Sequence, residues 1–132
     1  MLKNALLVTA SIIVGAGGVQ LLHAQSKAPA YFLGAINVKD QDGYTKTFLP
    51  EAQKAIKDHG GVYLGGGFEK TTNLTGGGSM SEPPPNRVVL IKFENADTAK
   101  KWWDTDGKKT NEIGAKFADF KVTWVIEGIE PK

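Results

Sequence analysis

Apolar and polar positions alternate with a period of two along residues 31–38. Phe32, Ile36 and Val38 fall on one face, and Tyr31, Leu33 and Ala35 on the other, so this segment reads as a strand. A turn at 40–43 follows, with Asp42 as a candidate helix cap. Tyr44, Phe48, Ala52, Ile56 and His59 then recur at helical spacing. Pro50 lies inside that pattern and predicts a kink or a split, because proline removes a backbone donor and crowds the preceding turn. The helix ends at His59-Gly60-Gly61, where glycine accepts the positive φ that reverses the chain. Residues 62–68 read as the second strand. Residues 70–86 carry Gly76-Gly77-Gly78 and Pro83-Pro84-Pro85 without apolar periodicity, the composition of a long hairpin loop. Residues 87–93 form the strongest strand. Asn95 or Asp97 caps a second helix through Ala96, Ala99, Trp102 and Trp103, with an interruption at Gly107 and a further helical piece over 109–117. Residues 121–127 close the pattern, with Val122, Trp124 and Ile126 on one face.

Four strands and two helices in the order β-α-β-β-α-β predict an α+β, ferredoxin-like antiparallel sheet with both helices on one face. The third strand sharpens this. Val89, Ile91 and Phe93 point one way while Val88 and Leu90 point the other, so both faces need cover. The helices supply one cover. A second copy of the sheet is the simplest source of the other, which predicts a homodimer closing a dimeric α/β barrel.

The ends of the chain set the compartment. Residues 1–25 carry Lys3, then an apolar run from Ala5 to Leu22, then a small residue at Ala24, the order of a secretory signal peptide. An uncleaved membrane anchor over residues 5–22 is the alternative, since the run approaches the roughly 20 residues that a span needs. Either reading puts the folded part outside the cytoplasm, periplasmic or secreted. Residues 26–30 read as a linker and 31–130 as one domain. The chain has no cysteine, which excludes disulfides and thiolate chemistry. Its formal net charge is +2, the lysines are dispersed and Arg87 is the only arginine, so nucleic acid is not an expected partner.

Several segments together resemble the domain of unknown function 1330 family, within the dimeric α/β-barrel superfamily. They are Asp42-Gly43-Tyr44, His59-Gly60-Gly61-Val62-Tyr63-Leu64, Pro85-Asn86-Arg87-Val88-Val89, Ala99-Lys100-Lys101-Trp102, Ile113-Gly114-Ala115-Lys116-Phe117-Ala118 and Val125-Ile126-Glu127-Gly128. The leader ending Leu22-His23-Ala24-Gln25 is similar to those of exported members. The family has no agreed activity, so the resemblance implies a fold rather than a reaction. The chain departs from the family pattern in three places. Thr105-Asp106-Gly107-Lys108 stands where a serine-proline-glutamate-tyrosine run is usual, Asn111 where an arginine is frequent, and the segment 74–85 is longer and richer in glycine.

Candidate chemistry is sparse. His59 is the only histidine after the leader. It is either a general base or a helix C-terminal cation that meets the dipole, and no serine or second histidine stands near it in sequence. One histidine and no cysteine leave no metal site, and no cofactor is expected. Neither Gly65-Gly66-Gly67 nor Gly76-Gly77-Gly78 leads into Lys-Ser or Lys-Thr, so neither is a phosphate loop; a bulge or loose hairpin is expected instead. Arg87 either holds a ligand carboxylate or pairs with Glu69 or Glu94. Trp102 and Trp103 point about 100° apart on a helix, so one is core and the other lies at a cleft mouth or an interface. Tyr44, Phe48 and Tyr63 either line a cavity between sheet and helices or are plain core, and Asp104 and Asp106 read as solvated. Three functions stand open. The first is a domain binding a small apolar or aromatic molecule through Tyr44, Phe48, Tyr63, Arg87 and Trp102. The second is a cofactor-free oxygenase or isomerase with His59 as base, and the third a structural homodimer without a ligand.

Overall fold

The computed structural model describes residues 28–74 and 83–130. The expected leader, and the middle of the loop expected over 70–86, lie outside the described residues. Strand β1 (Ala30–Val38) leads into helix α1, built from Gln41–Gly43, a π-helical stretch Tyr44–Phe48 and an α-helical stretch Leu49–Asp58. Strands β2 (Val62–Phe68) and β3 (Arg87–Phe93) follow. Helix α2 has the same three-part build, Ala96–Trp102, π-helical Trp103–Gly107 and Lys108–Gly114, and strand β4 (Ala118–Glu127) ends the domain. The sheet order is β2-β3-β1-β4 and every pairing is antiparallel, the ferredoxin-like arrangement that the element order predicts. The sheet of one chain is open and does not close into a barrel.

The period-two reading of the strands is kept in the register. Ala30, Phe32, Gly34, Ile36 and Val38 of β1 lie on the helix side, opposite Phe93, Ile91, Val89 and Arg87 of β3. Two apolar clusters hold the helices there. One joins Ile91, Phe93, Ala55, Ile56, Ala99 and Trp102, and the other joins Ile36, Tyr44, Phe48, Ala52 and Ala118.

Local details differ from the pattern reading for physical reasons. Asp40, not Asp42, caps α1. Its carboxylate accepts from the Gly43 amide at 3.0 Å, and Gln41–Gly43 is already helical. Asn95 is the cap of α2, accepting from the Thr98 amide at 2.9 Å. Pro50 splits α1 as expected. The split is a change of helix type, with the Leu49 amide donating to the Tyr44 carbonyl five residues back, just before the residue that has no donor to give. Gly107 does not interrupt α2 but ends its π-helical stretch in a buried position. A Cβ there would stand 2.9 Å from the Trp102 ring, so glycine is needed for packing rather than for a break. Strand β4 starts three residues earlier than the pattern suggested, because a bulge near Ala35/Ile36 lets pairing continue to Ala118. The run Gly65-Gly66-Gly67 is the expected bulge. Gly66 has φ +98°, and a Cβ on it would meet the Val88 carbonyl oxygen, which only glycine avoids. The base of the long loop is tied down. Glu69 donates to the Asn86 carbonyl, and the Asn86 side chain exchanges hydrogen bonds of 2.8 and 2.9 Å with the Val38 backbone.

Among the described residues, most of the other sheet face is left open, although Ala35 and Val122 at one end of it are buried. Val62, Leu64, Leu90, Trp124 and Ile126 are exposed, with Trp124 at 57% the most exposed aromatic of the sheet. Leu90 pairs with Leu33, and Leu33 with Trp124, so these three form an apolar row opposite the helices, with Lys92 standing between Val62 and Tyr31 in the next row.

Candidate functional site

Tyr44, Phe48, Tyr63, Arg87 and Trp102 all line one cleft between the helices and the sheet. Each arrives for a local reason. Tyr44 and Phe48 open and close the π-helical stretch of α1, Tyr63 stands on the helix side of β2 opposite Ile91, and Arg87 begins β3 on the same side as Val89 and Ile91. Trp102 ends the first stretch of α2, and the π-helical stretch after it presents Trp103 and Gly107 to the cleft. Both π-helical stretches therefore face the cleft, as such insertions tend to do at functional sites. The space in the cleft is about 460 Å³ when its solvent-open part is included, while its interior cavity is only about 40 Å³. That interior holds one or two water-sized groups, against about 150 Å³ for a benzene-sized cavity.

The rings form two groups along the cleft. Trp102 stacks on Phe93 with centroids 5.1 Å apart and meets Phe32 edge-on at 5.0 Å. Tyr44 packs on Phe48 at 4.7 Å, and Phe68 approaches it edge-on at 5.9 Å. The Arg87 guanidinium lies 5.0 Å from the Phe68 centroid and 5.8 Å from that of Tyr44. Among the described residues it forms no salt bridge, so the pairing with Glu69 or Glu94 is not made. Arg87 Nε and Trp102 Nε1 are buried donors without an acceptor. Trp102 is the core tryptophan, 4% exposed, and Trp103 is half-buried at the side of the cleft.

Burial pushes the Tyr44 hydroxyl up to about 12, against the opposing pull of the Arg87 guanidinium and its hydrogen bond. Burial likewise raises Tyr63. Both phenols are neutral at physiological pH and offer hydrogen bonds rather than a base. A raised folded-state value means that the unfolded chain releases the proton first, so this contribution is complete below pH 10 and is lost as pH rises from 10 to 12. Chemical denaturation at pH 9.5 and 11.5 should show a loss of about 1.5–2 kcal/mol that Tyr44→Phe removes.

His59 is outside this site. It occupies the C-terminal cap of α1, its amide donating to the Ile56 carbonyl while the Gly60 amide donates to that of Lys57, and its Nε2 lies 2.8 Å from Asp106 Oδ2. The ring thus ties the end of α1 to the π-helical stretch of α2. Asp106 is correspondingly engaged rather than simply solvated. Among the described residues there is no cluster of three or more acidic or histidine side chains fit for a metal ion.

Phe32, Val89 and Ile91 also line the cleft and were legible as neighbours of Arg87 from the two-residue period. Gly107, Thr110 and Asn111 line it too, and only a helix carrying the π-helical insertion brings them there. Gly107 and Asn111 are both positions at which the chain departs from the pattern described above.

A family model, "Domain of unknown function (DUF1330)", matches residues 29–128. The crystal structure of RPA0582, a protein of unknown function from Rhodopseudomonas palustris, superposes with a TM-score of 0.57 at 11% identity, covering 93% of this chain and 100% of that one. The methylated form of RPA0582 superposes with a TM-score of 0.54 at 12% identity, covering 93% of this chain and 98% of that one. At such identities the likeness concerns the fold alone. No curated protein matches the chain.

Proposed function

The chain belongs to the DUF1330 family, and from that premise we propose that it is an exported, homodimeric domain that binds a small molecule in the cleft between sheet and helices. The observation that carries this reading is the convergence of Tyr44, Phe48, Tyr63, Arg87 and Trp102 on one mostly apolar cleft with two unpaired buried donors. Few convergent polar groups on an apolar wall are the usual make-up of a ligand pocket. The interior volume limits the occupant: a small head group enters, and an aromatic ring lies in the open part of the cleft or displaces side chains. Export rests on the order of charge, apolar run and small residue in residues 1–25. Mass spectrometry of protein from its native compartment should find a start near Gln25 or Ser26. A second copy on the open sheet face would complete the barrel.

The enzyme reading has less support, because His59, its candidate base, does not line the cleft. A thermal-shift panel of small apolar and aromatic compounds tests the binding reading, since a ligand that prefers the folded state raises the melting temperature by mass action. A compound that binds the cleft should lose its shift in Tyr63→Ala and keep it in His59→Asn. Shifts that survive every substitution in the cleft, or vanish with His59→Asn, would place binding elsewhere.

A further inference from the structure

Every polar group that the cleft offers through Arg87 and Trp102 is a donor. Arg87 carries five N–H bonds in a planar fork. Its partners here are the Tyr44 hydroxyl and the faces of two rings, and its Nε has no acceptor. Trp102 is more than nine-tenths buried, lines the same cleft and leaves its indole N–H unpaired. A guanidinium cannot shed its charge at any physiological pH, and a partly buried cation without a counter-charge is costly. Among the described residues the cleft therefore offers no negative charge, and the oxygens of Tyr44, Tyr63, Thr110 and Asn111 leave the Arg87 Nε and Trp102 Nε1 donors unpaired. A carboxylate supplies the charge and the acceptors in a planar group that matches the guanidinium fork. Its head is also of the size that the 40 Å³ interior admits. Neutral apolar molecules would leave both donors unpaired, and a phosphate would bring a third charged oxygen into a wall of rings.

We propose that the ligand is a small monocarboxylate whose carboxylate sits on Arg87, with the Trp102 indole N–H as a second donor and an apolar body lying along the ring-lined cleft. The inference rests on the binding reading above but makes a separate demand: charge, not only shape, must be recognised.

Calorimetric titration of the full chain with sodium acetate, sodium benzoate and the neutral isostere benzamide, at fixed ionic strength, tests it. Benzoate should bind at least about tenfold tighter than benzamide, the scale of one charge-assisted hydrogen bond. Arg87→Gln should erase that difference while leaving the melting temperature of the free protein unchanged or higher, since it removes an unpaired charge. Trp102→Phe should weaken benzoate several-fold and leave benzamide nearly unchanged. Equal binding of benzoate and benzamide would overturn the carboxylate inference and leave the cleft as a binding site. Binding of neither carboxylate at millimolar concentration would also overturn it, while the panel of apolar compounds judges the cleft independently. A marked fall in the free protein's melting temperature with Arg87→Gln would show that the arginine is structural.

Discussion

Trp102→Ala should lower the stability of the domain by about 3–5 kcal/mol, the range for removing a buried aromatic side chain. The position is close to the worst place for a deletion. Trp102 is 4% exposed, and its ring is held by Phe93, Phe32 and Trp103 at centroid distances of 5.1, 5.0 and 5.8 Å. Gly107 is fitted so closely against it that no Cβ has room. Relaxation into the hole is limited, because β1 and β3 behind it are fixed by paired registers on both sides. Against a total stability of about 5–15 kcal/mol this is a large fraction, and for a domain of this size the melting temperature should fall by well over 10 °C. The same substitution enlarges the small interior of the cleft to the size of an aromatic ring. Indole should then recover part of the lost melting temperature, and should do nothing for the unsubstituted protein's interior. Equal stability of Trp102→Ala and the parent in denaturant would mean that the ring is not a pillar of the core. Indole that stabilises both alike would mean that it binds outside the cleft.

The fold was legible because its apolar periods are strong. The two-residue period of residues 31–38 and 87–93 carries directly into the observed register, and the glycine pair after His59 ends α1 with Gly60 at φ +77°. The site was legible only as a list of side chains. Tyr44, Phe48, Ala52 and Ile56 are spaced by four, and four residues advance an α-helix about 40° beyond a full turn. The drift was visible in the sequence, but a π-helical stretch as its remedy was not. Likewise Gly107 read as a break, because its contact with Trp102 is a matter of packing between adjacent turns and leaves no trace in local propensity. The partner of His59 was hidden for a different reason: Asp106 lies 47 residues away, and nothing in local spacing joins the two.

Replacing Leu90 and Trp124 together by lysine should turn a dimer into a folded monomer, with association weakened by at least about a hundredfold. Both side chains stand on the sheet face opposite the helices, 36% and 57% exposed, and both neighbour Leu33 in the register. With Val62, Leu64 and Ile126 they make an apolar surface that a lone soluble chain rarely leaves in water. A sheet is also a rigid, nearly flat platform, so two copies pack face to face with little loss of freedom beyond that of association itself. Two lysines placed at the middle of such a contact would each have to be buried beside apolar groups of the other copy, which costs several kcal/mol apiece. In the free monomer they would be solvated, so the variant should melt no lower than the loss of the partner alone requires. The cleft lies on the other side of the sheet, and carboxylate binding by the variant should persist if the site is complete within one chain. Light scattering across low micromolar concentrations reads the mass of both proteins. A parent that is already a folded monomer in that range would remove the dimer from the account, and with it the closing of the barrel.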